Sequence, residues 1–296
     1  MTQEKLTIGK YANIKLDRWF KRTFGVEERK HLLVALLKEI IPEHDFAELE
    51  FAKEEFINEE PETYKSIRVD ISARDKDGTR VIVEMQMTEQ DNFYERIAFN
   101  AAFPVMEQKE IGDVENDFPS VYLVSLMNFS YHKGSDQVHF SGRYRWDDTN
   151  EAITDRVQLI FLELPNCSKA LTPEASFADN FCYVMRNIEN LTEIPPELNT
   201  EFFRELFKSA EIANFTAAER RRYRKDMMDE QSIIMGQRFH ERIGREQGRK
   251  EGLEEGRHEG SQETKAQIAK AMLADGQDAS VISKYTGLSA DEIAAL

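Results

Sequence analysis

Residues 65–86 read KSIRVDISARDKDGTRVIVEMQ, two strand patterns joined by a turn. Ile67, Val69, Ile71 and Ala73 alternate with Ser66, Arg68, Asp70 and Ser72, and from Arg80 onward Val81, Val83, Met85 and Met87 alternate with Ile82, Glu84, Gln86 and Thr88. A period of two is the signature of a β-strand. Between them, Lys76-Asp77-Gly78 makes a three-residue hairpin loop with glycine at the left-handed position, which pairs Asp75 with Thr79. Counting outward along both strands from that pair sets Asp70 opposite Glu84.

Directly opposed cross-strand side chains have Cβ atoms about 4.5–5.5 Å apart, where like charges destabilise a sheet. A divalent cation offsets that repulsion. Mg²⁺ is typically held by one or two carboxylates, with water and substrate phosphate completing the shell. Gln86 lies two residues beyond Glu84, on the same face, and its amide can orient a water or a phosphate oxygen. The plainer reading places Asp70 and Glu84 on the solvated face of an amphipathic hairpin, with Arg68 as a nearby counterion.

Outward from the hairpin, Leu33, Val34, Leu36, Leu37 and Ile41 recur at helical spacing before Pro42, predicting a helix over 27–41. Phe93, Ile97, Ala101 and Val105 stand four apart and predict a helix over 90–106 that packs one face on the sheet. SVYLVSLMNF (120–129) is a long apolar run of the kind buried on both faces as a central strand. VHFSGRYRW (138–146) and RVQLIFLEL (156–164) are further strands, and from Phe177 the pattern is helical, broken at Pro195-Pro196. The expected fold class is α/β, a mixed sheet core flanked by helices with a helical C-terminal extension.

Six of the 14 glycines fall between 236 and 260, most in the tetrads GREQGRKEGLEEGRHEG. Glycine costs about 1 kcal/mol per helical residue relative to alanine, so this segment is either a weak helix supported by charge pairs four apart or a flexible linker. QIAKAMLADG, DASVISKYTG and LSADEIAAL then read as three short helices stopped at Gly276 and Gly287, either a helix-turn-helix-like module or a structural cap.

The chain of 296 residues has 39 Lys plus Arg against 55 Asp plus Glu, a formal charge of −16. Such acidity opposes nucleic-acid binding unless the charge is uneven or offset by a metal. It is uneven. Residues 1–42 hold nine basic and five acidic groups, 43–62 one and nine, and 219–250 ten and six. The two cysteines, Cys167 and Cys182, and six histidines form no zinc spacing. No 18 apolar residues run together and the opening residues lack an apolar signal region, so a cytoplasmic protein without membrane contact is expected. No GxSxG occurs to suggest a serine hydrolase.

The arrangement KSIRVD…IVEMQ, preceded by a helix ending LLKEIIP and followed by a helix carrying Arg96, resembles the PD-(D/E)xK nucleases. More narrowly it resembles the Rpn-like recombination-promoting nucleases, or PD-(D/E)xK nuclease family transposases. The likeness covers GKYANIKLDRWFKRTFGVEERKHLLVALLKEIIP, the hairpin, YERIAFNAA, VYLVSLMNF, the glycine tetrads and the ending MLADGQDASVISKYTGLSADEIAAL. It implies a restriction-endonuclease-like core, metal-dependent hydrolysis of DNA, and Mg²⁺ or Mn²⁺ on Asp70 and Glu84, with Met85 adding only its backbone carbonyl. Gln86 stands where the motif has lysine, and Val69 where it has proline. A glutamine positions water but does not take its proton, so more of the chemistry falls to the metal.

Glu39 matches the extra acid that some such nucleases draw from the first helix, an exposed surface glutamate being the plainer reading; Lys65 and Arg96 flank the site as candidate phosphate contacts, with an ion pair to a neighbouring acid the alternative for Arg96. The organisation expected is a nuclease-like core over 1–175, a helical extension over 176–235, the glycine segment over 236–262 and a small helical module over 263–296. A homodimer is expected, because cutting both strands with one site per chain takes two copies. The alternative function is a catalytically degenerate, DNA-associated or self-associating protein that retains the fold.

Overall fold

The computed structural model describes residues 8–46, 48–52, 55–56, 67–107 and 119–296. The chain divides into a unit Met1–Asp226 and a unit Met227–Leu296. The first opens with helices α1 (Asp17–Phe24) and α2 (Lys30–Ile40). Short strands β1 (Glu50–Phe51), β2 (Glu55–Phe56) and β3 (Ile67–Arg68) follow, then β4 (Ile71–Arg74), β5 (Arg80–Gln86) and α3 (Phe93–Glu107). Next come β6 (Val121–Met127), β7 (His139–Arg145), β8 (Ala152–Glu163), α4 (Phe177–Asn187), α5 (Glu201–Ala210) and the start of α6 (Ala217–Ala274).

The main sheet has the order β1-β4-β5-β6-β8-β7. β5, β6 and β8 are parallel and the outer pairings are antiparallel, giving the mixed sheet expected. All seven residues of β6 are buried, because helices cover both faces. On one face Val81, Val83 and Met85 of β5 meet Phe20, Leu33, Leu37, Phe181 and Leu206 from α1, α2, α4 and α5. On the other, Ile82 of β5 and Leu123 of β6 meet Phe93, Ile97 and Ala101 of α3. Glu84 and Gln86, even-numbered like Ile82, therefore point toward the α3 side.

The turn follows the expected chemistry. Gly78 has φ +85°, the Asp75 N–H donates to Thr79 O at 3.0 Å, and Asp75 Oδ1 accepts from the N–H groups of Asp77 and Thr79 at 2.9 and 2.8 Å. β4 and β5 pair Ile71 with Val83 and Arg74 with Arg80, and Asp70 and Glu84 are the residues just beyond the last pair on each side.

Two expectations need correction. The strand drawn as continuous over 66–74 is broken at Val69-Asp70: β3 pairs with β2 in a separate two-stranded sheet, and β4 begins at Ile71. Val69 consequently packs with the α3 side while Ile71 packs on the opposite side, although strict alternation would align them. The solvated hairpin face is also absent at the key position. Glu84 is 3% exposed, because α3 lies over a face that the pattern alone left open.

In the second unit the glycine segment is helical, part of α6. Charge and amide pairs four residues apart support it, among them Arg245–Glu241 at 2.6 Å, Gln247–Glu251 at 2.9 Å and Lys250–Glu246 at 3.4 Å. The flexible-linker alternative does not describe it. Helices α7 (Ala279–Thr286) and α8 (Ala290–Ala294) complete this unit, and Ile282, Leu288 and Ile293 pack with Ala269 and Met272 of α6. Gly287, at φ +74°, ends α7 in the left-handed conformation, and the Ser289–Glu292 capping box starts α8.

Candidate active site

The hairpin and α3 enclose a cavity of about 800 Å³ lined by Arg68, Asp70, Glu84, Met85, Gln86, Asn92, Glu95, Arg96, Phe99 and Asn100. The sequence candidates Asp70, Glu84, Gln86 and Arg96 are thus brought together. The bend at Asp70 turns its carboxylate onto the neighbouring strand, where Oδ2 accepts the Met85 N–H at 2.8 Å. The Met85 amide hydrogen thus engages the site.

Glu84 is fixed from two directions. Its Oε1 accepts from Asn100 Nδ2 and its Oε2 from Gln86 Nε2, both at 2.9 Å. Gln86 Oε1 in turn accepts from Arg96 Nη2 at 2.5 Å. Arg96 and Asn100 are one turn apart on α3, so a single helix face holds both ends of this chain of hydrogen bonds. Arg96 Nε is buried without a hydrogen-bond partner among the described residues, an unmet donor on a cavity wall.

A second helix contributes groups that the sequence reading missed. Lys21 Nζ of α1 lies 3.7 Å from Asp70 Oδ1 and 3.0 Å from Asp17 Oδ1. Asp17 and Lys21 are spaced four apart, which from sequence is an ordinary helix-surface ion pair; only the fold brings them to Asp70. Glu39, the candidate extra acid, is exposed on α2, as the plainer reading of a surface glutamate has it, and does not line the cavity. Two helical acids stand by the site: Asp17 of α1, whose charge acts on Asp70, and Glu95 of α3, which lines the cavity. Lys65 lies outside the described residues.

Burial raises the Asp70 carboxyl above the usual carboxylate range; the Met85 N–H opposes this, Asp17 adds to it and Lys21 opposes it. Burial likewise raises Glu84, against the Asn100 hydrogen bond, with the Asp70 charge raising it further and Arg96 and Gln86 pulling it down. Two carboxylates held close and partly desolvated form a donor set suited to a hard cation with oxygen ligands. Among the described residues no group of three or more His, Cys, Asp or Glu is arranged to hold a metal, so an ion here would take the rest of its shell from water and substrate.

A family model described as PD-(D/E)XK nuclease family transposase matches residues 14–236, three quarters of the chain. The chain belongs to that family. A second model, described as Rpn/YhgA-like nuclease family, C-terminal HTH domain, matches residues 262–296, the end of α6 with α7 and α8. Such a domain indicates DNA as a partner of this family member. No curated protein and no solved structure matches the chain. Among the described residues no helix is long and apolar enough to cross a membrane.

Proposed function

We propose that this chain is a Mg²⁺- or Mn²⁺-dependent DNA endonuclease of a recombination or transposition system, with Asp70 and Glu84 as metal ligands. The observation that carries the reading is the pair of carboxylates lining one cavity, Glu84 buried and Asp70 partly so, flanked there by the unmet donor of Arg96. A bound ion would lower the pKa of a water and polarise the scissile phosphoryl group. The protein's own groups do the remaining work. The Met85 N–H orients Asp70, Asn100 and Gln86 orient Glu84, and Arg96 offers its guanidinium to a phosphate. Gln86 keeps one amide hydrogen and one lone pair for the attacking water.

Lys21 supplies the cation that the Gln86 position lacks. Its ammonium, 3.7 Å from Asp70, offsets negative charge next to the metal position as a lysine on β5 would, from a different element. The nuclease core spans 1–175 with a helical extension over 176–235, and the 263–296 module brings DNA to it. Two copies act on the two strands.

The test is cleavage of double-stranded or nicked DNA with and without Mg²⁺. Metal-dependent cutting by the wild type, lost in Asp70→Ala, supports the proposal; equal cutting by both sinks it. The alternative of a degenerate, DNA-associated protein draws on the Gln86 amide being engaged at both ends. Calorimetry separates the two readings, because DNA binding without Mg²⁺ or Mn²⁺ uptake would favour the second.

A further inference from the structure

A second concavity, of about 420 Å³, is walled by Tyr94, His132, Gln137, Phe140 and Phe161. Beneath it Glu163, at the end of β8, is fully buried and accepts from Ser130 Oγ at 2.6 Å, His132 Nδ1 at 2.7 Å and Asn166 Nδ2 at 2.9 Å. A carboxylate facing Nδ1 at that distance fixes the proton there and turns Nε2 outward. The His132 side chain remains 47% exposed, and its ring lies flat on Phe140, with centroids 3.9 Å apart and planes at 11°. Tyr94 is 43% exposed and sits 4.9 Å from Tyr131 and 5.6 Å from Phe161. The Tyr131 hydroxyl is tied to Gln90 O at 3.0 Å. A buried carboxylate is costly unless fully hydrogen-bonded, and this one serves to fix a ring that faces solvent.

These rings adjoin the catalytic cavity. Tyr94 lines one concavity and Arg96, two residues on, lines the other, both from the first turn of α3. Gln86, Met127 and Glu163 stand side by side on β5, β6 and β8, so Glu163 is two strand spacings, about 10 Å, from Gln86. Because about 3.4 Å per nucleotide is the spacing of a stacked strand and an unstacked one reaches further per step, that is at most about three steps from a phosphate at the Asp70–Glu84 pair.

We infer that this concavity takes an unstacked DNA base within about three nucleotides of the scissile phosphate, stacked on Tyr94 with His132 Nε2 and Gln137 at its edge. The substrate in this inference rests on the nuclease reading above. Base–aromatic stacking tolerates any sequence, and an unpaired base is cheapest to extrude, so the site selects gaps, mismatches and single-stranded ends over paired duplex.

The test uses the full-length chain carrying Asp70→Asn, to prevent cutting, and oligonucleotides with 2-aminopurine at successive positions beside a gap. The expected result is quenching at one position and binding of gapped over paired DNA tighter by about 10-fold, a preference that Tyr94→Ala and His132→Ala each abolish and Tyr94→Phe retains. An unchanged preference in both alanine variants overturns the inference. So does a change confined to the monomer–dimer equilibrium, which would make this face a contact between copies. If an alanine variant fails to fold, the quenching measurement decides alone, and its absence at every position overturns the site. Mg²⁺-dependent cleavage of fully paired DNA by the wild type is scored separately, so loss of the nuclease reading and loss of the base site are distinguishable.

Discussion

Replacing Asp70 by asparagine should inactivate the protein and stabilise it. The asparagine side chain keeps an oxygen for the Met85 N–H and can donate from its amide to the nearby Asp17 carboxylate, so the local geometry survives. What disappears is a like-charge pair. For opposed side chains about 5 Å apart at an effective dielectric of about 20, the repulsion is about 3 kcal/mol, and compensation by Lys21 with partial solvent access reduces the net gain to about 1–2 kcal/mol. In a unit of this size that raises Tm by roughly 2–8 °C.

The pH dependence of that gain has a definite sign. Folding raises the Asp70 pKa, so the native state holds the proton more tightly than the unfolded state does. Wild-type Asp70 favours folding below the ordinary aspartate value and loses that contribution as pH rises through the raised native one. The advantage of asparagine is therefore full at neutral pH and vanishes in acid. Mg²⁺ should reverse the order, because it stabilises only the wild type. The assay is thermal unfolding across pH with and without Mg²⁺, alongside DNA cleavage. An Asp70→Asn protein that still cuts, or that is less stable than wild type at neutral pH without metal, refutes the reasoning.

Lys21→Met should lower the cleavage rate by about 10–100-fold with little change in DNA affinity, measured as separate kcat and KM effects; an unchanged kcat would remove Lys21 from the site. Gln86→Lys, which restores the motif residue, should reduce activity rather than raise it, because the new ammonium meets Arg96 where Gln86 now accepts its hydrogen bond; adding Arg96→Gln should recover part of the loss, as initial rates on one duplex substrate will show. Alanine at Gly248, Gly252 and Gly256 should each add about 1 kcal/mol to helix stability, read by circular dichroism on heating, since nothing described lies within 4 Å of the added Cβ. Trp19→Ala should cost about 3–5 kcal/mol in denaturant unfolding, given its stacking on Phe215 and its hydrogen bond to Asp226.

The hairpin was legible because its turn fixes its register: Gly78 admits the left-handed residue, Asp75 satisfies the loop amides, and every later pairing follows by counting. The central strand was legible because an unbroken apolar run has few other destinations. Burial of Glu84 was not, since alternation reports that one face is polar and not that a helix covers it. The break at Val69-Asp70 was hidden for a similar reason: β-propensity continues through it, and only pairing of Ile67-Arg68 with a different strand reveals it. Asp17, Lys21 and Asn100 carry no local sign of function, and the contact of α1 with Asp70 spans about fifty residues of sequence. Glu39 is an ordinary exposed glutamate, and the pattern of α2 alone does not tell which helix approaches the hairpin.

Helix α1 has only eight residues, and while Asp17 and Lys21 reach Asp70, Trp19 and Arg22 grip the root of α6. Trp19 stacks on Phe215 at 4.8 Å, its Nε1 donates to Asp226 at 3.1 Å, and Arg22 Nε donates to Glu219 at 2.7 Å. Against the upward pull of its burial, hydrogen bonds from Arg22 and Thr216 bring the Glu219 carboxyl down to about 2. Anyone exchanging C-terminal arms between such proteins must therefore splice after Asp226. A junction placed at the visible start of α6 would strip the covering from Trp19 and loosen the helix that sets the charge around Asp70, so the chimera would inherit an intact hairpin with a misplaced lysine.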